Sequence, residues 1–189
     1  MNQTITIKLQ TGTRRCGDCT LCCKLIPVPE IKKPSNVKCP HQHQHPGGCL
    51  IYDRRPMSCR LWSCRWLTND DTDDLKRPDR VGYVIDPAPD FVTRQNTETG
   101  ESINIPVVQV WIDHRRPNAF LEKGLLRFIQ RRSLEGMATL IRRGSQSTVT
   151  IFPPTMNPTG KWLLLEGGQT VPGHSFLEVV NVLAKGEAK

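Results

Sequence analysis

Residues 16–64 read CGDCTLCCKLIPVPEIKKPSNVKCPHQHQHPGGCLIYDRRPMSCRLWSC, and this stretch holds all eight cysteines of a 189-residue chain. They fall as Cys16, Cys19, Cys22 and Cys23, then Cys39, Cys49, Cys59 and Cys64. The opening MNQTITIKLQTGTRR has no apolar run behind a basic start, so no signal peptide is expected and the chain reads as cytoplasmic. In a reducing compartment clustered thiols are captured by metals as thiolates rather than paired as disulfides. We therefore read the stretch as a metal-binding module with all eight cysteines as ligands.

Eight thiolates suit one or two centres: two four-cysteine zinc sites, or a cubane iron–sulfur cluster beside a zinc. If residues 16–23 were helical, steps of 100° per residue would place their four sulfurs within an arc of roughly 120°. Adjacent side chains diverge, so Cys22 and Cys23 are not expected to share one ion. Cys23 is also the first candidate for a buried apolar thiol without metal. The triplet Cys16-x2-Cys19-x2-Cys22 is a ferredoxin-like spacing, but the fourth ligand three residues on is missing, and the first Cys-Pro pair is Cys39-Pro40. His41, His43 and His45 would share one face of an extended segment and could add nitrogen ligands, with His41 nearest to Cys39. Arg54, Arg55 and Arg60 would donate to thiolates or carbonyls. Leu50, Ile51, Tyr52, Leu61, Trp62, Trp66 and Leu67 would form a small apolar shell around the sulfurs.

The runs CGDCTLCC, CPHQ and GGCLIYDRRPMSCRLWSC resemble the CxxCxxCC family of zinc- or iron-chelating proteins, the YkgJ-type cysteine-cluster proteins. The family signature C-x-I-Y-x-x-R-P-x-x-C-R is met by Cys49, Ile51, Tyr52, Arg55, Pro56, Cys59 and Arg60, and the likeness covers about residues 14–67. The resemblance implies metal chelation. Members are often labelled iron–sulfur oxidoreductases, and a related cysteine pattern occurs in a flagellin lysine methylase. The HQHQH insert departs from the pattern.

The formal charge of +8 would suit an acidic partner, yet eight thiolates on two dications would remove about half of it. Nucleic-acid binding is therefore not the favoured reading. The apolar fraction of 37% and 15 prolines predict a modest core with many turns, and no window of about 20 apolar residues would span a membrane.

The fold expected is α+β: a small irregular cysteine-rich module over 1–67, a charged connector over 68–80, and a mixed platform with an antiparallel sheet over 81–189. Residues 1–13 alternate as a strand or tail, and the prolines of 25–38 make a loop. Asp70, Asp71, Asp73 and Asp74 lack the glycine and glutamate of a calcium loop and read as a solvated linker. Strands are predicted at 81–86, 103–113 and 162–166, with a turn near 96–100. Pro117 and Asn118 should open a helix with Leu121, Leu125, Phe128 and Ile129 on one stripe, ending at Gly136. MATLIRR and TVTIFPP predict a hairpin around GSQS, and 175–184 a closing helix.

The platform has no P-loop, GxGxxG, HExxH or GxSxG motif. His114 and His174 have no neighbouring nucleophile, so they read as core or surface residues. The arginine pairs at 115–116, 131–132 and 142–143 read as solvated faces. The expected function is a metal-binding protein, with zinc or an iron–sulfur cluster as cofactor, and enzymatic activity is not the leading expectation. An iron–sulfur oxidoreductase or modifying enzyme with a redox protein partner is the alternative, and a nucleic-acid-binding zinc module the third.

Overall fold

The computed structural model describes residues 14–43, 47–95, 99–143, 147–156 and 159–186. The fold is α+β. Strands β1 (Tyr83–Ile85), β2 (Asp90–Gln95), β3 (Ser102–Ile112), β4 (Ala138–Arg143), β5 (Ser147–Phe152), β6 (Trp162–Glu166) and β7 (Gln169–Gly173) form one sheet. Its order is β1-β3-β4-β5-β6-β7, and β2 pairs with the free first half of β3. All pairings are antiparallel except β3 with β4. A parallel pair needs a crossover, and helix α5 (Lys123–Leu134) supplies it. Four short helices precede it, α1 (Leu21–Leu25), α2 (Met57–Leu61), α3 (Arg65–Thr68) and α4 (Pro78–Val81), and α6 (Phe176–Gly186) follows it.

Alternation along β3 gives the sheet two faces. Val108, Val110 and Ile112 face a core built with Leu125, Phe128 and Ile129 of α5 and Val179, Val180 and Leu183 of α6. Burying each such side chain contributes about 1.5–3 kcal/mol, which is why both helices dock here. On the other face Ile105 and Val107 meet Ala138 and Leu140. Further along that face Val84 meets Leu25 and Cys64, with Trp62, Trp66 and Trp111 packed around them. The cysteine-bearing segment is seated on this second patch.

The hairpin β4–β5 and the strand β6 lie where the sequence places them, as does the apolar stripe of Leu125, Phe128 and Ile129. The helix itself differs. A 3-10 turn covers Pro117–Leu121, and α5 begins only at Lys123, where the Glu122 carboxylate accepts from the Leu125 amide at 2.9 Å. Leu121 therefore lies outside the helix. The strand expected over 81–86 is shorter, because Pro78 starts a helical turn that Gly82 closes at φ 85°. A Cβ there would stand 2.7 Å from Arg116 Cδ, so Gly82 also permits a close approach. Strands β2 and β7 were not expected; their residues are mostly exposed and carry no apolar alternation. The readings for residues 1–13 and for much of the two turn segments (96–98 and 144–146) fall outside the described residues.

The acidic connector is not a solvated linker. Asp71 pairs with Arg65 at 2.8 Å and Arg132 at 3.2 Å, Asp74 pairs with Arg131 at 2.9 Å, Asp73 pairs with Arg14, and Thr72 is fully buried. Five of the six paired arginines, all but Arg115, are correspondingly engaged. Arg142 donates to Gln109 at 2.7 Å and lies over the Trp111 ring, Arg143 pairs with Glu166, and Arg116 donates to the Asp79 and Arg80 carbonyls. An ion pair, Lys24 with Asp113, ties α1 to the end of β3. Asn36 adds to this junction by donating to the Ile112 carbonyl at 3.1 Å and accepting from the His114 amide at 3.1 Å.

Candidate metal centre

All eight cysteines, each a free thiol, line a single cavity of about 350 Å³. Four short segments bring them there. Cys16 and Cys19 sit on a turn closed by the Cys19 amide on the Cys16 carbonyl at 3.0 Å, with Gly17 at φ 56°. Helix α1 carries Cys22 and Cys23. The reading of one helical face over 16–23 is thus corrected: only Leu21–Leu25 is helical, because the positive φ at Gly17 breaks the earlier part into a turn.

Cys39 and Cys49 flank a pinched loop. The Gln42 amide donates to the Cys39 carbonyl at 3.1 Å, Gln42 bridges to Cys49, and the Leu50 amide donates to the His41 carbonyl at 2.9 Å. A side chain at Gly47 would come within 2.6 Å of the Asp18 carbonyl oxygen, so the loop lies directly on the first cysteine turn. Cys59 is on α2, whose start is held by Glu30: its carboxylate accepts from the Ser58 amide at 2.9 Å and the Ser58 hydroxyl at 2.8 Å. Cys64 precedes α3 and is buried against Leu25 and Val84.

His41 lies on the cavity wall; His43 does not, and His45 falls outside the described residues. Arg55 and Arg60 line the cavity as well, Arg55 over the Tyr52 ring at 3.8 Å. Arg54 is exposed and is not part of the wall.

Burial is the main influence on most of these thiols. It pushes Cys16, Cys19 and Cys59 up, and Cys64 up to about 11. Cys22 and Cys23 are hydrogen-bonded to each other. Cys22 is held well above its usual value by that bond and by burial, while Cys23 is pulled down to about 7, chiefly as the acceptor and further by Lys33 and Arg55. A desolvated thiolate without a cation is costly, and a bound metal ion replaces the protons and supplies the missing charge.

Sequence reasoning missed two residues of the site. Lys33 lines the cavity at 5% exposure, its ammonium held by the Lys24 and Pro34 carbonyls, each at 3.0 Å. Asp86 accepts from two indoles, Trp62 at 3.1 Å and Trp111 at 3.3 Å, and so fixes the Trp62 wall to the sheet. Neither stands in a motif, so no pattern would have found them.

The fit to a metal depends on its size. No three or more of the described His, Cys, Asp and Glu side chains are gathered closely enough to hold one ion, although eight thiols surround the cavity. Closed zinc sites keep four sulfurs about 2.3 Å from the ion, which demands a tighter group. An iron–sulfur cluster, in which each thiolate meets a different iron, tolerates sulfurs set further apart. The eight cysteines on the cavity wall are thiolate donors of the kind such a cluster takes.

Fold and cavity together define an α+β protein with an eight-thiol chamber seated on one end of its sheet. No family model, curated protein or solved structure matches the chain. Among the described residues, no helix is long and apolar enough to cross a membrane.

Proposed function

We propose that this is a metal-binding cysteine-cluster protein whose eight thiolates hold iron–sulfur centres, in preference to mononuclear zinc. The observation that carries the reading is the shared cavity: eight thiols from four segments line one space, yet no three of the described ligand side chains are grouped so as to hold a single ion. The resemblance of residues 14–67 to the CxxCxxCC zinc- or iron-chelating proteins supports chelation without choosing between the metals. Cys16, Cys19, Cys22, Cys23, Cys39, Cys49, Cys59 and Cys64 would be the ligands. Such a group supplies one-electron redox chemistry when bound. The chain's own contribution is to hold the thiolates, keep most of them from water, and balance their charge with Lys33 and Arg55.

An electron-carrying or oxidoreductase role is the second reading, favoured by the placement of Trp62. Its indole is shared between the thiol cavity and a shallow surface depression lined by Ser58, Leu61, Pro87 and Ala88. A redox partner in that depression would meet the sulfur chamber across one ring. Nucleic-acid binding loses support, since the arginines of 131–132 and 142–143 are engaged with Asp71, Asp74, Gln109 and Glu166. A reducing compartment, which keeps the thiols available, belongs to this proposal.

The test is iron, zinc and acid-labile sulfide content with a visible spectrum on protein purified without air. Iron and sulfide in near-equal amounts with a brown colour are expected. Colourless protein with about two zinc ions, four thiolates to each, would overturn the iron–sulfur preference and leave chelation standing. Protein without any metal would overturn both.

A further inference from the structure

One face beside the thiol chamber carries more positive charge than its own carboxylates answer. Arg77 joins this face to the first cysteine turn: its guanidinium pairs with Asp18 and with Asp79, each at 2.7 Å, and a Cβ on Gly17 would stand 3.3 Å from its Nη1. Arg80 follows on α4 and is exposed. Arg116 reaches the same place, donating to the Asp79 carbonyl at 3.2 Å and to the Arg80 carbonyl at 3.0 Å. Arg115 is exposed on the turn that the Arg116 amide closes onto the Asp113 carbonyl at 2.8 Å. Arg15 is exposed next to Cys16.

The carboxylates among these arginines are already taken. Asp18 and Asp79 share Arg77, and Asp113 is paired with Lys24. Among the described residues no Asp or Glu pairs with Arg15, Arg80, Arg115 or Arg116. Guanidinium groups left in this state draw in anionic partners and offer flat forks that take carboxylates two bonds at a time. A single-stranded nucleic acid would also need rings to stack on. Tyr83 and Phe120, the aromatic residues next in sequence, are 2% and 1% exposed, so neither reaches this face.

The face borders the chamber at its most open point, since Cys16 is the only exposed cysteine of the eight. It is separate from the depression beside Trp62. Gly82, on which Arg116 packs, precedes β1, and Pro87 of the depression follows it, roughly 16 Å away along an extended chain.

We propose that Arg15, Arg80, Arg115 and Arg116 form a docking face for the carboxylate-rich surface of a one-electron carrier protein, which sits against the exposed Cys16 edge of the chamber. The proposal deepens the oxidoreductase reading and rests on it. One electron passes between the partner's centre and the chamber, one being oxidised as the other is reduced, and no bond is made or broken.

The probe is cytochrome c in two forms, the native basic protein and the same protein with its lysines succinylated, which makes it acidic and keeps the haem. Full-length, metal-loaded protein of measured iron and sulfide content is used. Binding of each ferric cytochrome is followed by calorimetry, and haem reduction is timed after the protein has been reduced and freed of excess reductant. At low salt the acidic form should bind and be reduced at least about tenfold better than the basic form, and high salt should erase the difference, because exposed charges are then screened. Arg80→Glu with Arg115→Glu should cancel the preference in both readouts while the visible spectrum stays that of the wild type. Arg80→Lys with Arg115→Lys should keep it, and Arg54→Glu, on the turn before α2, should leave it unchanged. If the double reversal does not yield folded protein, Arg80→Gln with Arg115→Gln carries the same expectation. Equal binding of the two cytochromes overturns the proposal, as does a preference that survives the double reversal or is lost with Arg54→Glu instead. DNA held by the same arginines more tightly than the acidic cytochrome would assign the face to nucleic acid and overturn it too. Protein without iron and sulfide overturns the function on which the proposal rests, so the two failures are distinct.

Discussion

Residues 83–183 bury a continuous apolar core of strands and two helices, including Tyr83, Val110, Phe128, Ile141, Val149 and Leu183. Among the described residues, 14–68 bury only Leu25, Val28 and Cys64 of their apolar side chains, and their α-helices have four or five residues each. Helices that short do not persist on their own, since nucleation is costly and few hydrogen bonds repay it. The sheet region can therefore hold its shape by burial, whereas the cysteine region depends on its seat on the sheet and, under the function proposed above, on a bound metal group. Yet the two are not independent, because Cys64 shares a cluster with Val84 of β1 and Lys24 is paired with Asp113.

Removing the metal should break this contrast most sharply. Metal binding supplies about 10–16 kcal/mol of folding free energy in small zinc-thiolate modules, which is the scale at stake here. Chelation, or Cys19→Ser, is expected to open residues 14–67 to protease while the amides of β3, β4 and β5 remain protected from hydrogen exchange. Digestion at the wild-type rate after complete stripping would show that the cysteine region folds without metal.

The second largest effect should come from the opposite side of the comparison. Phe128 is fully buried in the sheet core, with the guanidinium groups of Arg65, Arg131 and Arg132 at 5.6–6.0 Å from its ring. Phe128→Ala should cost about 3–5 kcal/mol, read as a lower urea midpoint, because the site cannot collapse around the lost ring. Metal per folded chain should stay at the wild-type level. A matching loss of metal would mean that the sheet core, rather than the thiol ligands, holds the cysteine region together.

How much of this was legible in the sequence follows from where each signal lay. Strands β3 and β6 and the stripe on α5 follow apolar periodicity, which the core face enforces. Strands β2 and β7 lie with most side chains in solvent, so their polar residues satisfy the sheet without leaving a pattern. That the eight cysteines would gather was legible from their clustering in residues 16–64, and the structure brings all of them to one cavity. Lys33 was not, since Lys32 beside it looks the same in sequence. The backbone separates them: Lys32 takes a left-handed φ of 51° and points to solvent, while Lys33 turns inward. The acidic connector misled for a related reason, as Arg14, Arg131 and Arg132, three of its partners, lie far from it along the chain.

Acid should loosen the junction between the two regions before it unfolds the sheet. Burial raises the Asp113 carboxyl, but the Lys24 ammonium and the Arg115 amide outweigh it and hold the group below its ordinary value. A depressed carboxyl contributes stability that is fully present above its unfolded value of about 3.9 and is lost as pH falls through its folded value. Tm should therefore drop below about pH 4, and Asp113→Asn should flatten that part of the profile and cost about 1–3 kcal/mol at neutral pH. An unchanged acid limb in the variant would remove this ion pair from the junction.

The smallest effect distinguishes two aspartates of the connector. Asp71 is held by Arg65 and Arg132, all three largely shielded from water, whereas Asp74 meets Arg131 and Arg127 at a surface where its side chain is 39% exposed. Exposed pairs are weakened by solvent and by the entropy of fixing long side chains, so Asp74→Ala should cost at most about 0.5–1 kcal/mol. That loss should fade in high salt, where exposed charges are screened over about 3 Å at 1 M. Asp71→Asn should cost more, and its cost should persist in salt, because it leaves Arg65 and Arg132 partly buried without their shared anion. Denaturant midpoints of both variants at low and high salt make the comparison. Equal, salt-sensitive losses at the two positions would mean that the connector is tied to the cysteine region and α5 only by surface charge.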